Sequence, residues 1–278
     1  LTAVVTVNAT MRVGTSTTTT TDSSFEIKLT KEKEKAFLFF PKWTMADDKL
    51  LGMNTTENYN ITVPKDTEIT YAGVKVTDKY LDKEEKEDYT ETYILPQVLT
   101  TSTNVEFELP GGLEIEKEIT PSSYSKRYSL SITTSDLTDK TKEKLTKEAT
   151  ETMETTMKGI IDNKSFDDIK SVLAEKPDSE YYKDFAEEYA DYLKDVQEDS
   201  KKLTSFDVES MTVSSIGFTR DYQLSLRVRM SYSWTETDNN GEEEDDRYNY
   251  VTFYMIPEED NYKVVGISSF PATVSYLW

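Results

Sequence analysis

The sequence predicts an α+β protein: an all-β N-terminal part, then three helices, then a closing run of strands. Three observations carry this. Apolar residues alternate with a two-residue period through most of the first 132 positions, the period lengthens to three or four residues between 137 and 203, and four strand-like segments follow. At 278 residues the chain also exceeds one domain of ordinary size, so more than one folding unit is expected.

The first segment, "LTAVVTVNATMRV" (1–13), places Val5, Val7, Ala9, Met11 and Val13 on one face, as a half-buried strand requires. A Thr-rich turn leads to a second strand through Phe25, Ile27 and Leu29. "KEKEK" (31–35) then reads as a turn, and "AFLFFPKW" (36–43) as a third strand whose Pro41 suits an edge or an end. Residues 1–45 thus form a β meander, which is marginal alone because no helix covers its apolar face. The same order recurs near the C-terminus as "VRMSYSW", an acidic turn, "VTFYMI", "PEED" and "YKVVGISSF". The chain therefore reads as beginning with the end of a preceding repeat.

Residues 46–134 read as a small β-sandwich-like module. "NYNITVP" is a strand, and "TEITYAGVKV" is two short strands joined at Ala72 and Gly73, where glycine supplies the positive φ of a tight turn. A charged loop, "TDKYLDKEEKEDY", separates these from "TETYILPQVL" and "NVEFEL", and "PGG" (110–112) turns the chain into "LEIEKEI".

Residues 135–278 change period. Leu145, Ala149, Met153, Met157 and Ile160 mark one face of a helix over 137–161. Ser165 and Asp168 form a capping box for a short helix reaching about position 174, and Pro177 breaks it. Tyr182, Phe185, Ala186, Tyr189, Leu193 and Val196 form the stripe of a third helix from 178 to about 203. Four strands close the chain: "TSFDVESMTVSSIGF", "YQLSLRVRMSYSW", "YNYVTFYMI" and "YKVVGISSF".

Charge separates the two halves. Residues 1–134 carry 21 acids and 15 bases, and residues 135–278 carry 32 acids and 17 bases, together giving the net charge of −21. A surface this negative repels phosphate backbones, which argues against a nucleic-acid partner. Cys and His are both absent, removing thiol nucleophiles, disulfides, imidazole bases and the usual zinc, copper and iron ligands. No cofactor is expected. The chain also has no run of about 20 apolar residues, hence no expected membrane span. With eighteen Tyr, eleven Phe and three Trp it is far too aromatic for a disordered acidic chain.

The helix order and terminal meander of 136–270 resemble the nuclear-transport-factor-two-like fold, which implies a cone-shaped domain with three helices on a curved antiparallel sheet. The strand pair "TEITYAGVKV", with Ala72 where that pattern has Asn, together with "ILPQVL" and "ELPGGLEIE", resembles the β modules of TcaA-like and PEGA-type envelope proteins. Taken in order, module then cone is similar to the extracytoplasmic region of TcaA-like membrane proteins of Gram-positive bacteria. That resemblance implies a membrane anchor upstream of residue 1, a position at the cell surface, and a partner that is an envelope protein or cell-wall component.

The sequence is compatible with two functions: a non-catalytic binding or scaffolding module of the cell envelope, and a small-molecule carrier or isomerase-like enzyme. The second would use a pocket at the mouth of the cone, walled by Tyr182, Tyr189, Tyr222, Tyr232, Trp234 and Tyr254. Core packing of an aromatic helix stripe on a sheet is the plainer reading of those six. Isomerases of this fold use a buried carboxylate, and only Asp207 and Glu209 stand on a strand in a suggestive place. "ETDNNGEEEDD" (236–246) begins like a calcium loop, but Arg247 occupies the twelfth position, where a bidentate Glu is needed. Its acids read instead as a hairpin turn at Asn240-Gly241 projecting into water. The four Asn-x-Ser/Thr matches, at Asn8, Asn54, Asn60 and Asn163, carry no weight in a Thr-rich chain.

Overall fold

The computed structural model describes residues 2–9, 23–36, 40–45, 55–85, 87–198, 202–238, 241–268 and 270, with side chains from residue 55 onward. The described chain is mixed α+β, mostly strand, with three α-helices and several antiparallel sheets. It divides into two compact units: the described residues of Leu1–Ile61, Tyr93–Thr103 and Ile119–Tyr128, and those of Thr62–Thr92, Asn104–Glu118 and Ser129–Trp278.

In the first unit, β1 (Thr2–Ala9), β2 (Ser23–Ala36) and β3 (Phe40–Met45) pair in that order, with Val5 opposite Ile27 and Thr30 opposite Thr44. "KEKEK" is strand rather than turn: β2 runs through it to Ala36, with an irregular register between Lys31 and Lys35. The run contains no Gly, Pro, Asn or Asp, the residues that end a strand cheaply. Residues 37–39 and the Thr-rich stretch, 10–22, lie outside the described residues.

Seven strands follow: β4 (Thr55–Pro64), β5 (Glu68–Tyr71), β6 (Val74–Val76), β7 (Thr90–Leu99), β8 (Thr103–Leu109), β9 (Leu113–Ile119) and β10 (Arg127–Ser129). They form two sheets, in the orders β10-β4-β7 and β6-β5-β8-β9. Tyr71 faces Val74 across a two-residue turn in which Ala72 and Gly73 both take positive φ, 52° and 77°. This is the turn whose twist matches paired strands, with alanine where Asn is usually found. In β8 and β9 the alternation is strict: Val105, Phe107, Leu109, Leu113 and Ile115 are buried, while Glu106, Glu108, Glu114, Glu116 and Glu118 point outward.

The second unit holds all three helices. Helix α1 (Asp139–Ile161) starts where Thr138 Oγ1 accepts the Thr141 N–H at 3.1 Å, and it buries the five expected residues together with Thr152, Thr156 and Gly159. Gly159 is needed for close approach: a Cβ there would lie 2.5 Å from Ile169 Cγ2 and 2.6 Å from Tyr189 Oη. Asn163 ends the helix region at φ 58°.

Helix α2 (Phe166–Ile169) has the expected capping box. Ser165 N–H and Oγ–H both donate to Asp168 Oδ2, at 3.0 and 2.6 Å, and those bonds hold the Asp168 carboxyl below its usual range. The helix is shorter than the sequence predicts, passing into a 3-10 turn at Lys170–Val172, and Ala174 N–H donates to the Val264 carbonyl at 2.8 Å. A tertiary hydrogen bond has replaced a helical one. Helix α3 (Glu180–Glu198) buries Phe185, Tyr189, Tyr192 and Val196. This corrects the expected stripe, since Tyr192 takes the buried position and Leu193 is only half-buried.

The last sheet is β11 (Lys202–Phe218), β12 (Leu224–Asp238), β13 (Gly241–Glu258) and β14 (Asn261–Ser268), paired in chain order. Alternate residues of β12, from Leu224 through Val228 to Trp234, are buried, as are Val251, Phe253 and Met255 of β13. Helix α1 packs chiefly on β11 and α3 on β14. The acidic "GEEEDD" is not a projecting turn: Gly241 to Asp246 are strand residues of β13, in register with 233–238. Asp238 faces Gly241, so the connection is 239–240, outside the described residues. Exposed acids are tolerated on this stretch of strand because all of Gly241–Asp246 face water, on both sides of the ribbon.

Candidate interaction surface

The six aromatic residues singled out in the sequence fall into separate contacts. Tyr189 is fully buried; its hydroxyl donates to the Lys164 carbonyl at 3.0 Å, and its ring lies edge-on to Phe166 at 5.7 Å. Burial pushes its hydroxyl up to about 12, with the nearby Asp168 charge adding to the shift. Tyr182 sits half-buried, also edge-on to Phe166, at 5.4 Å.

Tyr232 and Trp234 stand on the inner face of β12, their rings 5.7 Å apart, with Phe206 of β11 stacked on Tyr232 at 5.2 Å. Burial raises the Tyr232 hydroxyl above its ordinary value. Tyr254 stacks on Tyr181 at 3.9 Å, and Tyr222 lies against Phe218 at 5.8 Å. Tyr222 occupies the left-handed region at φ 56°, unusual for so bulky a residue. The turn around it is tied by Asp221, whose carboxylate accepts from Thr219 Oγ1, Gln223 Nε2 and Tyr181 Oη at 2.9, 3.1 and 3.4 Å. The rings of these six are thus engaged by other side chains in four places.

Asp207 and Glu209 are both exposed on β11. The carboxylates withdrawn from water are others. Glu236 is 6% exposed on the inner face of β12 and accepts the Trp234 indole N–H at 3.2 Å. Glu148 of α1 and Glu188 of α3 are half-buried, and burial raises both carboxyls. Sequence alone offered a signal for Glu236, which continues the inward alternation of β12; nothing marked the other two.

Two surfaces of the second unit are open and strongly featured. One is the outer face of the sheet β6-β5-β8-β9, where Glu68, Glu106, Glu108, Glu114, Glu116 and Glu118 line an open trough of about 780 Å³. Lys75 Nζ donates to Glu68 at 2.6 Å and Asn104 Nδ2 to Glu116 at 2.7 Å. At its edge Lys117 meets Asp136 at 2.5 Å. Among the described residues no group of three or more acids is arranged to hold a metal ion.

The other surface is the outer face of β12 and β13. Tyr248 and Tyr250 are 61% and 46% exposed. The Arg229 guanidinium lies 4.4 Å from the Tyr248 ring centre and that of Arg227 lies 5.0 Å from Tyr250. Register places Arg229 opposite Tyr250 and Arg227 opposite Thr252, so each guanidinium reaches diagonally to a ring. Both arginines are exposed, and among the described residues neither has a carboxylate in ion-pair range. Positions 210–218, 224–232 and 248–256, three neighbouring strand segments, contain no Asp or Glu, although acids make up about one residue in five of the chain. Hydroxyls fill the rest: Thr212, Ser215, Ser225, Ser231 and Thr252. In a chain this acidic, an acid-free face with paired Arg and Tyr has the composition of a contact surface.

No family model matches the chain, and no curated protein matches it. One solved structure is similar, that of the intermembrane-space region of the chloroplast protein ARC6, at 14% identity, covering 41% of this chain and 94% of that one. The TM-score of that match is 0.25. Among the described residues no helix is long and apolar enough to cross a membrane.

Proposed function

We propose that this protein is a non-catalytic binding or scaffolding module of the bacterial cell envelope, held outside the cytoplasm by an anchor upstream of residue 1. In this reading a β module is followed by a cone-shaped nuclear-transport-factor-two-like domain, as in TcaA-like proteins. The observation that carries the binding role is the Arg227, Arg229, Tyr248 and Tyr250 face. Large rings and guanidiniums are left in water there, on a patch from which acids are missing. Exposed side chains of this kind contribute little to folding, whereas rings and guanidiniums give much of their contact energy when a partner covers them. The lack of Cys supports an oxidising location.

The test is accessibility in the native cell. The full-length, epitope-tagged protein should be cleaved when intact cells are treated with protease and should fractionate with the envelope. Recovery from the cytosol alone, protected from protease in intact cells, would overturn this reading.

A further inference from the structure

We propose that the outer face of β12 and β13 docks an extended acidic segment of a partner protein, one carrying two carboxylates two residues apart. This rests on the binding-module reading and names the occupant of its surface.

The geometry points to this occupant in three ways. Arg227 and Arg229 are two residues apart on one strand, so their backbones are spaced by roughly 6.7 Å on the same face. An extended peptide presents its i and i+2 side chains with the same repeat, so two carboxylates at that spacing meet two guanidiniums without bending either chain. Second, the guanidiniums lie against the Tyr248 and Tyr250 rings, which restricts them in advance and lowers the entropy lost on binding. Their N–H edges have no carboxylate among the described residues, so charge complementarity favours an anionic group.

Third, the acid-free patch is short. Nine residues along a strand is about 30 Å. Beyond it stand Glu242, Glu244 and Asp246 at one end of β13 and Glu258 with Glu259 at the other. A long polyanion laid along the strands would meet those carboxylates, whereas a peptide with a two-charge centre and neutral flanks avoids both ends. Exposed rings and hydroxyls on either side suit Thr, Ser or aromatic residues in those flanks.

The experiment titrates fluorescein-labelled seven-residue peptides against the full chain by anisotropy. One peptide has the pattern Tyr-Thr-Asp-Thr-Asp-Thr-Tyr, a second has the same composition with the two Asp adjacent, a third has Asn for Asp, and inorganic polyphosphate competes. The alternating peptide should bind at least about threefold more tightly than the adjacent-acid isomer, and binding should weaken as salt rises from about 50 to about 300 mM. Arg227→Ala and Arg229→Ala should each weaken it about three- to tenfold, and Arg227→Lys should restore part of that loss. Both arginines are on an open face, so an unchanged melting temperature shows that the variants fold. No binding of the alternating peptide at about 1 mM would overturn the proposal, as would equal binding by the double Arg→Ala variant. Polyphosphate binding without peptide binding would overturn the peptide occupant while leaving the binding-module reading to the accessibility test, which fails or succeeds independently.

Discussion

Gly111 lies against the ring of Tyr262: a Cβ built on it would stand 2.7 Å from Tyr262 Cε2 and 2.7 Å from the Asn261 carbonyl oxygen. The β8–β9 turn and the β13–β14 turn therefore meet through a residue that can have no side chain. Gly111 also adopts φ 82°, which disfavours any other residue. Gly111→Ala should cost about 2–4 kcal/mol, combining left-handed strain with overpacking. Urea denaturation checks it, and a loss under about 1 kcal/mol would mean that the two turns move apart freely.

Phe185 of α3 packs against a ring of α2 and a ring just beyond β14. It is fully buried, edge-on to Phe166 at 5.7 Å and to Phe270 at 5.4 Å. Phe185→Ala should cost about 3–5 kcal/mol by denaturant titration, and the conservative Phe185→Leu should cost clearly less.

The β5–β6 turn is suboptimal by one residue. Ala72 at φ 52° is less tolerant of the left-handed region than Asn, whose side chain hydrogen-bonds locally there. Ala72→Asn should therefore stabilise the chain by about 0.5–1 kcal/mol, whereas Gly73→Ala should destabilise it by a similar amount. A melting temperature lowered by Ala72→Asn would contradict the turn geometry.

Asp136 provides a pH dependence with a definite sign. Burial works to raise its carboxyl, but hydrogen bonds from Lys117 Nζ at 2.5 Å and from Thr133 N–H and Oγ1 at 2.6 and 2.8 Å outweigh it, and the net shift is downward. A carboxyl lower in the folded than in the unfolded state stabilises the fold above its unfolded value near 4 and loses that contribution as pH falls through the folded value. Stability should therefore decline from about pH 4 downward, with part of the decline absent in Asp136→Asn. The same substitution at pH 7 should cost about 1–3 kcal/mol, because Lys117 is left without its carboxylate in a site where its side chain is 17% exposed. An identical acid limb in both proteins would show that Asp136 is not linked to folding.

Local chemistry was legible in the sequence wherever the cause lies within a few residues. The Ser165–Asp168 capping box, the Ala72-Gly73 turn, the alternation of β8 and β9 and the buried face of α1 each depend on a period or a spacing that the chain carries by itself. "KEKEK" and "GEEEDD" read as turns in the sequence but are strand in the structure, for the complementary reason. Charge and polarity suggest a turn, but β2 runs through the first with Lys31 and Lys35 opposite Trp43 and Pro41, and β13 runs through the second paired with β12. Likewise α2 stops at Ile169 because Ala174 N–H finds the Val264 carbonyl, a partner ninety residues away.

The arginine face shows the same division most clearly. The sequence by itself determined that Arg227, Arg229, Tyr248 and Tyr250 would lie on strands, each pair on one side, in segments free of acids. Only the tertiary structure decided that the two pairs share a face, because that depends on the β12–β13 register, and a slip of one residue would send Tyr248 and Tyr250 to the opposite side. Register is set by the inward residues Val228, Met230, Val251 and Phe253, all fully buried. The exposed surface is thus fixed by the core beneath it: apolar burial selects the pairing, and the pairing carries each guanidinium to its ring.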